Sequence, residues 1–244
     1  LKKETYQPIY EDWFWQQPGY NPSKYEPQIC YSKALDDKKA FDKGDWSEED
    51  YDDGKHGMFW TLLYNLINDF IIPEQDKQYF MLGMSDNLFY CQCDKCVENN
   101  SQYTNSGTMM LFINAVAEEV EKWRLANAPE REIYIVTFAY YGMFEPPCKK
   151  GNDGNYLIDE NGKYIPIDES LVALDNVMIR YTPIQANYMY NLLDETHNKL
   201  ERDSLLGWTS IAKNFCVWDY RVDFNCYILP YPQWFSAYDN LKLY

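Results

Sequence analysis

Basic residues and histidine are scarce in this chain: 22 Lys and Arg stand against 38 Asp and Glu, with two His. The resulting formal charge of −16 argues against a nucleic-acid-binding surface, because phosphate recognition needs Lys and Arg in excess. His56 in a loop region and His197 in a helical stretch have no nucleophile partner in sequence, so Ser-His and Cys-His mechanisms are disfavoured. No apolar run reaches the roughly 18 residues of a spanning helix, so no membrane span is expected. A Gly-rich phosphate loop and a dinucleotide fingerprint are also missing, which sets nucleotide chemistry aside. The chain starts at Leu1 without a leader, and both ends read as cut points, so the ends leave localisation open. Seven cysteines cannot all pair within one chain.

What the chain does have is acid, aromatic rings and a tight group of cysteines. Its 244 residues suit a single α/β domain spanning 1–244 and can bury a substantial core. Size therefore forces neither disulfides nor metals. Solubility accounts for most of the negative charge. Much of it lies between Asp36 and Asp53, which reads as a solvated loop and lacks the sixth-position Gly and closing Glu of an EF-hand. The 23 Tyr and 8 Trp exceed what a core needs, so some rings are exposed. Exposed flat rings are platforms for sugars and apolar ligands, although a merely Tyr-rich acidic protein fits the composition equally well.

Residues 1–27, with Trp13, Phe14, Trp15 and Pro18-Gly19, read as irregular structure. Gln28 to Ser32 is a short strand candidate. A helix follows over about 57–72, where Phe59, Leu62, Leu63, Leu66, Ile67 and Phe70 keep helical spacing and Pro73 stops it. Tyr79 to Ser85 reads as a strand leading into Asp86. Ser106 or Thr108 caps a helix through Met110, Phe112, Ile113, Val116, Val120 and Trp123, which ends before Pro129. The apolar run Ile133 to Ala139 suits a parallel strand buried on both faces.

At about 149–170 the turn sequences Asn152-Asp153-Gly154-Asn155 and Asn161-Gly162 predict a surface hairpin inserted into a loop. A strand over 176–181, a helical stretch over 190–213, a strand over 215–219 and an amphipathic piece over 233–243 complete the chain. Five strand candidates with mostly helical crossovers predict a parallel α/β fold, either part of a (β/α) barrel or a doubly wound sheet.

In such folds ligands collect at the C-terminal strand ends. Those ends carry Asp86, Asn87, Tyr140, Tyr141, Tyr181 and Asp219, with Trp218 as a stacking surface. Carboxylates, phenols and an indole suit a carbohydrate. Glycoside cleavage normally uses two carboxyl groups, but the acetamide of a 2-acetamido sugar can itself be the nucleophile; the enzyme then supplies an acid and a group that orients the amide. Asp86-Asn87 has the residue types for that scheme; a turn or loop cap is the plainer alternative. Glu145 is a weaker acid candidate, better read as a solvent-exposed loop residue. Cys91-x-Cys93-x-x-Cys96 sits just beyond Asp86, and Cys30 offers a fourth thiol. A tetrahedral zinc, a disulfide with one free thiol, and three reduced buried thiols all fit that spacing.

The ordered series Gln28-Ile29-Cys30, Ser85-Asp86-Asn87, Cys91-x-Cys93-x-x-Cys96, Ser106-Gly107, Phe112 to Ala117, Phe138-Ala139-Tyr140, Pro146-Pro147, Asn176-Val177 and Trp218-Asp219-Tyr220, followed by Pro230 and Pro232, resembles a known family. It is the bacterial glycoside-hydrolase-like family called domain of unknown function 4838, related to glycoside hydrolase family 163, endo-β-N-acetylglucosaminidases on N-glycans. The resemblance runs over about residues 28–243. It implies a TIM-barrel-like fold, and secretion to the periplasm or cell surface of a glycan-foraging bacterium. It further implies that the early and final barrel strands, with a strand-end glutamate acid, lie outside Leu1–Tyr244. It places the 149–170 insertion beside the site.

The expectation is a glycosidase on β-linked N-acetylglucosamine-containing glycans, retaining and substrate-assisted, with no cofactor in the chemistry. Asp86 and Asn87 carry the catalysis, and Tyr140, Tyr141, Tyr181, Trp218 and Asp219 bind sugar. Cys91, Cys93, Cys96 and Cys30 form a structural thiol group open to zinc. A non-catalytic glycan-binding barrel and a metal-organised interaction module are the alternatives.

Overall fold

The computed structural model describes residues 11–14, 28–42, 57–86, 90–220, 222–224 and 226–244. Asn87, His56, most of residues 1–27 and the acidic stretch 43–53 lie outside the described residues. Helix α1 spans Tyr31–Asp42, α2 Met58–Asn65 with a π-helical continuation Leu66–Ile71, and strand β1 Tyr79–Met81. Helix α3 (Asp94–Asn127) leads to β2 (Tyr134–Ala139) and β3 (Val177–Tyr181). Helix α4 (Lys199–Ile211), β4 (Asn214–Val217) and α5 (Ala237–Leu243) complete the order.

The four strands form one parallel sheet in the order β1-β2-β3-β4. A doubly wound sheet reverses its strand order at a switch point, and this sheet has no reversal. Thr137 on β2 reaches Met109 on α3, and the Tyr181 hydroxyl on β3 reaches Glu201 on α4. Because strand side chains alternate, Ile135, Ala139, Val177 and Ile179 share that helix-covered face. All four are essentially fully buried there. Val136, Phe138, Met178 and Arg180 fall on the opposite face, where Arg180 lies over the Phe138 ring at 5.7 Å.

Three sequence expectations are corrected. Gln28 to Ser32 is no strand: Ile29 makes only an isolated bridge with Phe14, and the Cys30 carbonyl accepts the Ala34 N–H at 3.2 Å as α1 begins. Four strands are therefore described, not five. Asp36, Asp37 and Asp42 belong to α1, not to a loop. Asp37 is held there by Lys33 at 3.0 Å, one helical turn away, and by the Met58 N–H at 2.7 Å. The helix before Pro129 starts where expected but is capped by Thr104, not by Ser106 or Thr108: α3 is two helices that meet at Thr104, whose φ is 70° and whose hydroxyl accepts the Gly107 N–H at 3.2 Å.

The inserted segment 149–170 makes two tight turns, joined by the bridges Lys150 to Tyr156 and Ile158 to Tyr164. It docks on α4, where the Tyr164 hydroxyl donates to Asp203 at 3.0 Å and its N–H donates to Ser210 at 3.0 Å. Just before it, Phe144 accepts hydrogen bonds from Ser204 and the Trp208 indole, at 2.6 and 2.9 Å. Pro146 then lies flat on Gly207, where an added Cβ would come within 2.7 Å of the Pro146 Cβ. A proline ring cannot rotate away. Gly207→Ala gains helix propensity but overpacks this contact, with an expected net loss of about 1–2 kcal/mol. Urea unfolding would show it as a lower midpoint at constant slope; a wild-type midpoint would mean that the Pro146 segment yields.

Candidate functional site

A cleft of about 240 Å³ opens at the C-terminal ends of all four strands. Met84 and Asp86 come from the segment after β1, Phe138 and Tyr140 from β2 and its end, Thr182 from the residue after β3, and Trp218 and Tyr220 from the chain leaving β4. Asp86 is exposed, and Trp218 keeps 52% of its surface accessible. Arg180 stacks under Trp218 at 5.5 Å as well as over Phe138, so a cation braces the indole from below. The Trp218 N–H donates to the Tyr181 carbonyl at 2.8 Å, which continues the β3–β4 ladder into the cleft wall.

Tyr140 is the polar hub. Burial, a hydrogen bond with Tyr141 and a hydrogen bond with Asp86 raise its phenol well above the ordinary tyrosine range. It therefore stays protonated and donates toward the carboxylate. Tyr220 is also raised, by burial first, while its own hydrogen bond to Tyr140 works the other way. Tyr141 packs on Tyr140 with ring centroids 4.1 Å apart and adopts a φ of 48°, unusual for a bulky residue. The Thr182 hydroxyl is shut from water and has no hydrogen-bond partner among the described residues. A buried orphan hydroxyl costs about 1–3 kcal/mol, and this one sits in the cleft wall.

Of the residues expected at the site, Asp86, Tyr140 and Trp218 meet in the cleft, and Tyr141 supports Tyr140 from behind. Tyr181 does not join them. It is fully buried under the sheet, its hydroxyl donating to Glu201 Oε2 at 2.7 Å, because odd-numbered β3 positions face the helices. Asp219 points away between Trp218 and Tyr220 and hydrogen-bonds Tyr188, whose phenol is raised by burial first and by that carboxylate. Glu145 is exposed and pairs with Lys150 at 2.5 Å. No cleft-lining residue comes from the 149–170 insertion. Sequence reasoning passed over Met84, Phe138, Arg180 and Tyr220, although period-two alternation from Asp86, Tyr140 and Trp218 points to Met84, Phe138 and Tyr220.

The cysteines form a separate group beside this cleft. The Sγ atoms of Cys30, Cys91, Cys93 and Cys96 all lie within 4.8 Å of one another, an arrangement able to hold a metal ion. Hydrogen bonds to Cys91 and Cys96, then burial, push the Cys30 thiol far up. The Cys96 thiol is lowered by its bond to Cys30 but raised more by Cys91 and burial, and ends pushed up to about 12. A larger groove of about 850 Å³ lies at the opposite, N-terminal end of the strands, around Arg124, Ile133, Tyr134 and Asn176.

Residues 55–159 and 167–244 match the family described as a domain of unknown function (DUF4838). The chain belongs to that family. The DUF4838 match leaves out residues 160–166, inside the inserted turns. It also begins after Cys30, so the resemblance read at Gln28 to Cys30 lies outside the matched residues. No curated protein and no solved structure matches the chain. Among the described residues of this DUF4838 domain, no helix is long and apolar enough to cross a membrane.

Proposed function

We propose that this DUF4838 domain is a glycoside hydrolase acting on β-linked N-acetylglucosamine-containing glycans through the substrate's own acetamide, with retention. One observation carries the reading: a single exposed carboxylate, Asp86, is tied to the protonated phenol of Tyr140 across a cleft walled by a half-exposed indole. Trp218 presents a flat, half-exposed face to a pyranose ring. Direct two-carboxylate mechanisms need a second acid about 5–9.5 Å away. Among the described residues, no second carboxylate lines the cleft.

In the proposed reaction the acetamide carbonyl oxygen attacks C1 of the sugar while the C1–O bond to the leaving glycan breaks. Asp86 accepts the acetamide N–H and balances the positive charge that grows on the resulting oxazolinium ring. Water then opens the ring at C1, which restores the acetamide and gives net retention. The leaving oxygen takes its proton from an acid, and we place that acid outside the cleft residues described. Asn87 follows Asp86 and, in this proposal, assists at the acetamide. The strand order and the covering of one sheet face by α3 and α4 lead us to propose an arc of a (β/α) barrel, and the family resemblance a secreted or surface location. A zinc ion on the four thiols would serve the scaffold alone, since none of them lines the cleft.

A β-N-acetylglucosaminide and a complex N-glycan, each incubated with the domain, test the reading. Release of a reducing-end product of retained anomeric configuration is the expected result. Trp218→Ala is expected to raise the Kd for an N-acetylglucosamine oligosaccharide roughly tenfold, about 1–2 kcal/mol of lost stacking, by calorimetry. Unchanged affinity would remove Trp218 from the subsite. The lone carboxylate also favours a second reading, glycan binding without cleavage; tight binding of oligosaccharide with no product over long incubation would select it.

A further inference from the structure

We propose that Cys30, Cys91, Cys93 and Cys96 hold one zinc ion as a closed tetrahedral tetrathiolate, and that this ion staples the segment bearing Asp86 to helix α1. The inference goes beyond the glycan reading and stands without it. Cys30 Sγ lies 3.8 Å from Cys93 Sγ and 3.7 Å from Cys96 Sγ. A zinc ion with Zn–S bonds of about 2.3 Å sets its sulfurs about 3.8 Å apart, the edge of a regular tetrahedron. A disulfide would need about 2.0 Å, and it would join two sulfurs where four converge. The donors are all soft thiols, with no carboxylate or imidazole in the group, and four-sulfur tetrahedral sites select zinc over hard cations.

Packing alone does not explain the group. Buried free thiols ordinarily behave as small hydrophobes within a core. Here Cys30, Cys91 and Cys96 form a buried cluster apart from the main core, and the partly buried residue packed against it is Cys93. Four sulfurs thus fill space against one another.

The surroundings fit a charged centre. Four thiolates on Zn²⁺ leave a net charge of −2, and two helix N-termini meet them. The Cys30 carbonyl accepts the Ala34 N–H at the start of α1, and the Cys93 carbonyl accepts the Val97 N–H, at 2.9 Å, at the start of α3. Helix N-termini favour thiolate over thiol. Lys95, in the first turn of α3, pairs with Asp36 on α1 and ties together the two helices whose N-termini meet the ligands. Ser32 Oγ lies 3.1 Å from Cys96 Sγ and accepts the Asn99 amide at 3.0 Å. With that lone pair engaged, the Ser32 hydrogen turns toward a Cys96 thiolate, a supporting partner of the kind metal ligands carry.

The staple follows from chain order. Gln28, two residues before Cys30, grips the Ser85 backbone from both sides: its amide donates to the Ser85 carbonyl and accepts the Ser85 N–H, each at 2.9 Å. Asp86 comes next, and Cys91 closes the loop on the metal. The segment is thereby anchored at each end to the same short stretch, 28–30. Zinc binding forms four Zn–S bonds, and each thiol gives up its proton to solvent.

The test is elemental analysis of the domain purified without chelator. The expected result is one zinc per chain, with the thiolate-to-metal charge-transfer and visible bands of a tetrahedral tetrathiolate after cobalt exchange. Cys91→Ser with Cys93→Ser is expected to lose the zinc, and Cys148→Ser, elsewhere in the fold, to keep it. Should the double variant fail to fold, Ser32→Ala serves, with zinc loss to a competing chelator faster by roughly tenfold. Removing zinc from the wild type is expected to speed amide exchange across 82–93 by about tenfold while leaving β3 unchanged, a readout independent of glycan cleavage. Folded wild type with no zinc and four reactive thiols, a disulfide within the group, or iron in place of zinc would each overturn the proposal. Unchanged exchange on zinc removal would overturn the staple.

Discussion

Asp86→Asn is expected to lower kcat on a β-N-acetylglucosaminide by about 10²–10³-fold while the protein folds as before. The substitution keeps the side chain's size and removes its charge. In the proposed reaction that charge faces a cation that exists only along the reaction path, so its loss falls on kcat more than on KM. Folding is spared because Asp86 is exposed and lies outside the core. Tyr140 loses its anionic partner, and its phenol is expected to move back toward the ordinary tyrosine range, visible by ultraviolet titration of the two proteins. If Asp86 merely turns the chain, the variant cleaves like wild type, and the carboxylate has no part in the chemistry.

Glu201→Gln is expected to change the pH dependence of stability by up to about 3 kcal/mol. The Glu201 carboxyl is 2% exposed, and burial pushes it up to about 7, against the opposing effect of hydrogen bonds from Tyr181 and Gln185. Between about pH 4.5, where an exposed Glu titrates, and about pH 7, the native state holds a proton that the unfolded chain has released. Stability therefore falls as pH rises through that window, and the favourable contribution is fully present only below it. Gln carries no such proton and keeps an oxygen for the Gln185 N–H. Urea unfolding of both proteins from pH 4 to pH 8 is expected to show the variant gaining on wild type as pH rises. Parallel profiles would mean that the carboxyl is not buried as described.

The sheet was legible because its signals are local. Ile133 to Ala139 and Val177 to Tyr181 are apolar enough to be strands anywhere, and Pro129 stops α3 in any context. The region around Cys30 was not, because Ile29, Cys30 and Tyr31 are good strand formers whose fate is decided by distant partners. The Gln28 amide closes on Ser85, and Cys30 joins sulfurs more than 60 positions away, at Cys91, Cys93 and Cys96. The acidic stretch misled for a similar reason: Asp37 reads as solvated, yet it accepts the Met58 N–H in the interior of the fold.

Within the site, chain position at a strand end was a good guide and side-chain parity a better one. Trp218 and Tyr220 face the cleft, and Asp219 between them cannot. Tyr181 shares the buried parity of Val177 and Ile179, so Arg180 is the β3 residue that supports the cleft. Thr182 carries no sequence signal at all. Only the closed surroundings of its hydroxyl single it out.

The most direct test of the central claim is a crystal structure with a thiazoline derived from N-acetylglucosamine, which mimics the bicyclic intermediate of acetamide participation. The account predicts its pyranose ring on the exposed face of Trp218, with the thiazoline nitrogen in hydrogen-bond contact with the Asp86 carboxylate. A ligand that binds elsewhere, or in this cleft with its thiazoline turned away from Asp86, would contradict it.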